Sequence, residues 1–113
     1  VQLLNIKTMT EDKDHLNILR NITNSDKIRQ RELASKLGFS LGKLNYCLKS
    51  LKKKGFIKVG NFNKNKNRFN PLSKANYLYI LTPKGLMLKT KLTIKFMKIK
   101  IQEYDELKKE LKK

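Results

Sequence analysis

Apolar positions recur at helical spacing across Gln30–Gly55, QRELASKLGFSLGKLNYCLKSLKKKG, and predict two short helices joined by a tight turn. Leu33, Ala34 and Leu37 share one face of the first. Gly38 follows, a residue that takes positive φ at no side-chain cost and so suits a helix C-terminus. Phe39 closes the turn, and Ser40 stands where its hydroxyl can accept from the first free amides of the next helix. That second helix carries Leu41, Leu44, Cys47, Leu48 and Leu51 on one face and stops at Gly55. Its other face holds Lys43, Tyr46, Lys49, Ser50 and Lys53. A helix with one apolar side and one basic, hydrogen-bonding side is built to lie in a DNA major groove.

Upstream, Leu3, Leu4 and Ile6 form an apolar patch suited to the core or to a partner. Thr10 is followed by Glu11, Asp12 and Asp14, which reads as the acidic first turn of a helix running to about Asn24 on Leu16, Ile18, Leu19 and Ile22. Asn24–Asp26 reads as a loop and Lys27–Arg29 as a short extended link. After Gly55 the period changes to alternation. Phe56–Val59 is a predicted strand with Ile57 and Val59 on one face, and Tyr77–Leu81 a second with Leu78 and Ile80 together. The Asn-rich stretch between them carries Lys64, Lys66 and Arg68, and Pro71 limits pairing on that side. Two strands joined by a basic loop make a wing, whose tip would reach a minor groove or the phosphates.

Thr82-Pro83 restarts a helix as N-cap and first residue, and nothing after Gly85 interrupts it. Leu88, Leu92, Phe96 and Ile99 form one stripe, suited to packing back on the domain. Met87, Ile94, Met97, Ile101, Tyr104 and Leu111 follow three- and four-residue steps, the spacing of a coiled-coil seam, with Lys108 as an interruption. Two apolar stripes on one helix need two partners, and the chain offers one, so homodimerisation is expected. The predicted fold class is mainly α with a small β-hairpin wing: a winged helix-turn-helix over residues 1–82 and a long C-terminal dimerisation helix over 83–113.

Charge sharpens this picture. The net charge is +18 over 113 residues, and no Asp or Glu occurs between Glu32 and Glu103. A lysine-rich, AT-biased genome contributes to the total, but does not by itself clear acids from one continuous block. A field of one sign favours a polyanion, and nucleic acid is one. Catalysis has little to work with: one His, one Cys and no paired carboxylates in that block exclude an enzyme, and no cofactor is expected. His15 lacks neighbours at metal-ligand spacing and is expected at the surface. Cys47, the single cysteine, falls on an apolar helix face and reads as a small core residue in a reducing compartment. With no secretory signal and no apolar run long enough to span a bilayer, a cytoplasmic, nucleoid-associated protein without a membrane partner is expected.

RELASKLGFSLGKLNYCLKSLKKKGFIKV, followed by a basic wing and YLYILTPKG, resembles the winged-helix regulators of the MarR superfamily, and among them the exopolysaccharide (EPS)-associated MarR-type transcriptional regulators. The resemblance covers roughly residues 11–107, with SLGKLNYCLKSL and LTPKG its most specific parts. It implies a dimeric double-stranded-DNA-binding transcription factor, linked to polysaccharide genes, with Leu41–Lys54 as recognition helix and residues 56–81 as wing. Two departures stand out. Arg29 occupies a position where such domains often place a small capping residue, and the chain is shorter than typical members, whose extra helices frame a ligand pocket. No small-molecule effector is therefore evident.

In this reading Lys43, Tyr46, Lys49 and Ser50 lie nearest base edges, with Ser40 in the same set. Gln30, Arg31 and Lys53 clamp phosphates, while Lys64, Lys66 and Arg68 work from the wing. The recognition helix holds no arginine, which favours an AT-rich site read partly through groove width. An RNA-binding or assembly-adaptor winged helix is the alternative that the same features allow.

Overall fold

A computed structural model describes residues 2–24, 28–61 and 77–113 of the chain. Four helices and one hairpin run in the order α1 (Gln2–Asn24), α2 (Gln30–Leu37), α3 (Leu41–Lys53), β1 (Ile57–Asn61), β2 (Tyr77–Leu81) and α4 (Pro83–Glu110). The wing residues Lys64, Lys66 and Arg68, the loop residues Ser25 and Asp26, and the side chains of Leu3, Leu4 and Ile6 lie outside the described residues.

The expected core is present. Ile18, Leu19 and Ile22 of α1 meet Leu33 and Ala34 of α2 and Leu44, Cys47, Leu48 and Leu51 of α3. Ile28, in the link before α2, is buried with them. The turn between α2 and α3 closes as its residues dictate. Gly38 sits at φ +69, and the Phe39 amide donates to the Ala34 carbonyl at 3.0 Å. Ser40 Oγ accepts from the Lys43 amide at 3.1 Å, while Arg29 gives α2 no side-chain cap. Leu41 departs from expectation: as the first residue of α3 it is reached by no core neighbour and stays half exposed.

Two corrections concern α1. It begins at Gln2, because nothing between there and Asn24 breaks a helix, so Glu11, Asp12 and Asp14 fall mid-helix rather than in its first turn. The helix register that results turns His15 inward. It is buried at 7% exposure, not at the surface, and its Nε2 has no hydrogen-bond partner among the described residues.

The strands pair antiparallel, with Ile57 opposite Leu81 and Val59 opposite Tyr79. That register puts Ile57, Val59, Tyr79 and Leu81 against the helices. Leu78 and Ile80 do share a face, but Ile80 is 52% exposed and the buried residue between them is Tyr79.

The start of α4 is welded to the end of α3. Thr82 Oγ1 donates to the Gly55 carbonyl at 2.7 Å and accepts from the Gly85 amide at 3.0 Å. The Thr82 amide donates to the Phe56 carbonyl at 3.2 Å. Lys84 Nζ reaches the Lys54 carbonyl at 2.9 Å, over the Phe56 ring. A Cβ at Gly85 would overlap the Phe56 carbonyl, which explains a glycine inside a helix at this point.

Candidate nucleic-acid interface

With Leu44, Cys47, Leu48 and Leu51 buried, the opposite side of α3 is turned to solvent. Lys43, Tyr46, Ser50 and Lys53 follow at steps of three, four and three, so they stack along one face, with Lys49 beside them. Tyr46 is 70% exposed, an uncommon place for an aromatic ring to stand unless something covers it. Lys49, Lys52, Lys53 and Lys54 are exposed, and Ser50 is half-buried. The basic residues crowd into the last turn, where they also complement the helix dipole. Chemically, this face offers ammonium donors, a phenol and a hydroxyl, which suit phosphates and the acceptor edges of bases.

Not every expected residue joins it. Gln30 is buried at 8% exposure beside Leu33 at the start of α2, so its side chain presents little surface to a phosphate. Arg31, next to it, is exposed. Ser40 is exposed but its oxygen is engaged in the cap. Lys43 is partly committed within the protein: its Nζ lies 3.3 Å from Asp14 Oδ2 and 4.1 Å from the centre of the Phe39 ring. Asp14 was not among the expected site residues. Its only signal was rarity, since few acids occur before residue 103.

Cys47 lies under this face, free and buried. Burial and the nearby Asp14 push its thiol above the ordinary range, against the pull of Lys43, so it remains a protonated core residue rather than a reactive one. Among the described residues no group of three or more His, Cys, Asp or Glu could hold a metal, and no helix is long and apolar enough to cross a membrane.

Residues 11–58, from α1 to the start of β1, match the family model described as winged helix-turn-helix DNA-binding. Among solved structures, Staphylococcus aureus MarR in complex with salicylate and kanamycin is similar with a TM-score of 0.64 at 20% identity, over 82% of this chain and 57% of that one. The S. aureus MepR–DNA complex gives 0.67 at 13% identity, over 93% and 79%. A mutant E. coli MarR complexed with operator DNA gives 0.55 at 21% identity, over 80% and 69%. The fold is that of the MarR regulators. Within this MarR-like fold, α2 and α3 form the helix-turn-helix, β1 and β2 the base of the wing, and α4 the long C-terminal helix. The chain spans a little over half the length of the S. aureus MarR to which it is similar, 57%. No curated protein matches the chain by sequence.

Proposed function

We propose that the chain is a transcriptional regulator that binds double-stranded DNA as a homodimer, with α3 in the major groove. The observation that carries this reading is the solvated basic face of α3, with Tyr46 standing out from it, on a winged helix-turn-helix frame. Two of the similar structures, MepR and the E. coli MarR mutant, are complexes with DNA, which supports the same partner here. Dimerisation is supported by the outward side chains of α4: Met87, Ile94, Met97, Ile101, Tyr104 and Leu111 are 48–87% exposed. A two-fold dimer would set its two recognition helices in successive major grooves about 34 Å apart, on a pseudo-palindromic site. In this reading the division between reading head and dimerisation helix falls at Thr82-Pro83, and the wing residues Lys64, Lys66 and Arg68 add minor-groove or phosphate contacts. Control of polysaccharide-related genes is the finer proposal, and genome-wide mapping of binding sites tests it.

Selection from a random duplex pool, with structured RNA as competitor at matched salt, tests the partner. The expected product is an AT-rich pseudo-palindrome that RNA does not displace. Preference for RNA, or no enrichment, would sink the reading. Replacing Lys43 and Tyr46 together by alanine relaxes sequence preference more than it weakens binding to unrelated duplex.

A further inference from the structure

Between α1 and α4 lies a trough of about 830 Å3. Leu16 from α1 and Phe96, Met97 and Ile101 from α4 give it apolar walls. Lys13, Arg20 and Lys100 stand at it as cations. The two helices are pinned together by Lys95 Nζ on Asp12 Oδ2 at 2.7 Å, which sets the spacing of the walls. Two of the residues assigned above to the dimer, Met97 and Ile101, therefore belong to a concave surface shared with α1, not to an isolated helical stripe.

The same chain carries a segment of matching chemistry. From Ile101 to Lys113 every residue of the C-terminal helix and its end is exposed, so this arm stands clear of the body. It presents Tyr104, Leu107 and Leu111 at 64, 69 and 87% exposure. Its start, Glu103-Tyr104-Asp105-Glu106, holds three carboxylates and no cation, the first acids in the chain after Glu32. The arm is apolar and acidic where the trough is apolar and basic.

We propose that the α4 arm of one copy lies in the α1–α4 trough of a second copy, and the reverse. The inference rests on the homodimer reading and says how that dimer is built. Tyr104, Leu107 and Leu111 fill the apolar walls, while Glu103, Asp105 and Glu106 face Lys13, Arg20 and Lys100. Each copy gives one arm and receives one, so the contact closes on itself as a two-fold dimer instead of growing into a chain. The in-chain pair of Lys100 with Glu103, 3.6 Å apart and more than half exposed, is of the weak kind that exchanges partners readily. A seam of α4 against α4 alone would leave Lys13 and Arg20 of α1 without a part in the contact.

Charge exchange tests this. One variant reverses the arm (Glu103→Lys, Asp105→Lys, Glu106→Lys) and the other the trough (Lys13→Glu, Arg20→Glu, Lys100→Glu). Sedimentation is measured at micromolar concentration, with circular dichroism to follow folding. Wild type is expected to be a dimer. Each variant alone meets like charge in both of its contacts and falls to monomer, with association weakened at least about tenfold. Mixed in equal amounts, the two regain a dimer, because both contacts of the mixed pair are complementary. A wild-type monomer would remove the homodimer reading and this one with it. A wild-type dimer that survives both reversals, or variants that fail to pair when mixed, would overturn the arm-in-trough arrangement alone. Strong binding of anilinonaphthalene sulfonate by the wild-type dimer would also overturn it, by showing the trough open to a small amphipathic anion. Should a triple variant not fold, Asp105→Lys with Arg20→Glu gives the same readout at smaller amplitude.

Discussion

The outer faces of α3 and α4 are both left uncovered by the chain, yet they are chemical opposites. On α3 the exposed residues are Lys43, Tyr46, Lys49, Lys52 and Lys53, on a helix whose inner side is fully packed. On α4 they include Met87, Ile94, Met97, Ile101, Tyr104, Leu107 and Leu111, all large and apolar, on a helix with only Gly85 and Leu92 buried. A solvated basic face costs little to keep in water and gains when it meets a polyanion. An apolar face of this extent gains only when it is covered. The contrast teaches that exposure alone identifies nothing: the same uncovered geometry implies a nucleic acid on one helix and a protein surface on the other.

The joint at Thr82–Gly85 holds the two faces in fixed relation, and breaking it has the largest expected effect. Gly85→Ala places a methyl group into the Phe56 carbonyl, a backbone atom that cannot swing aside as a side-chain tip could. We expect a loss of about 3 kcal/mol or more in urea unfolding, at the upper end of what overpacking costs. A loss below about 1 kcal/mol would mean that the joint gives easily and that the orientation of α3 does not depend on α4.

The next effect separates the faces. Ile101→Lys alters a side chain that is 57% exposed, so the fold should hold to within about 0.5 kcal/mol. Dimer mass should be lost, and with it the gain from binding two half-sites at once, which is on the order of a hundredfold in affinity for a two-half-site duplex. Tyr46→Ala is the counterpart: it weakens DNA binding and leaves the mass of the assembly unchanged. If either variant moved both readouts equally, the two faces would not be doing separate jobs.

The chain announces some of this and conceals the rest, for physical reasons. The α2–α3 unit was readable because local chemistry and burial agree there: Gly38 and Ser40 mark the turn, and four inner residues keep helical spacing. Strand parity was not readable at Tyr77–Leu81, since all five residues carry apolar bulk and alternation between two apolar faces gives no direction. Tertiary pairing with Ile57 and Val59 decides that Tyr79 turns inward. Acids at 11–14 imitate a helix start, yet they meet cations from elsewhere: Asp12 pairs with Lys95 of α4 and Asp14 with Lys43 of α3. Partners 83 residues apart leave no trace in local periodicity. Gln30 was misplaced for a similar reason, because a polar residue at a helix start looks exposed until the neighbouring helices are in position.

A smaller effect comes from His15, the one titratable side chain buried within the α1 core face. Burial holds its imidazole below the ordinary 6.5 and Lys54 adds to this, while Glu11, Asp12 and Asp14 pull the other way and do not win. The folded chain thus resists a proton that the unfolded chain accepts. This contribution to stability is whole above the ordinary pKa and is lost as pH falls through 6.5. Unfolding curves at neutral pH and at about pH 5.5 should differ less for His15→Leu than for wild type. Equal differences would place the titrating group elsewhere.

The smallest expected change bears directly on how free the α3 face is. Asp14 and Lys43 lie 3.3 Å apart with side chains 18% and 47% exposed, a partly screened pair that contributes no more than about 1 kcal/mol to folding. Asp14→Asn should therefore barely move the unfolding midpoint. On DNA the sign reverses. Lys43 can approach a phosphate or base only by giving up the carboxylate, so the pair competes with the ligand, and removing it should tighten binding to unrelated duplex by roughly two- to fivefold, the equivalent of that same pair energy. Since the freed ammonium would then add one more phosphate contact, the slope of log K against log salt should steepen by up to about 0.9. Unchanged affinity and slope would mean that Lys43 stays on Asp14 and Phe39 when DNA is bound. The basic face would then begin at Tyr46, and Lys43 would serve to hold α3 against α1.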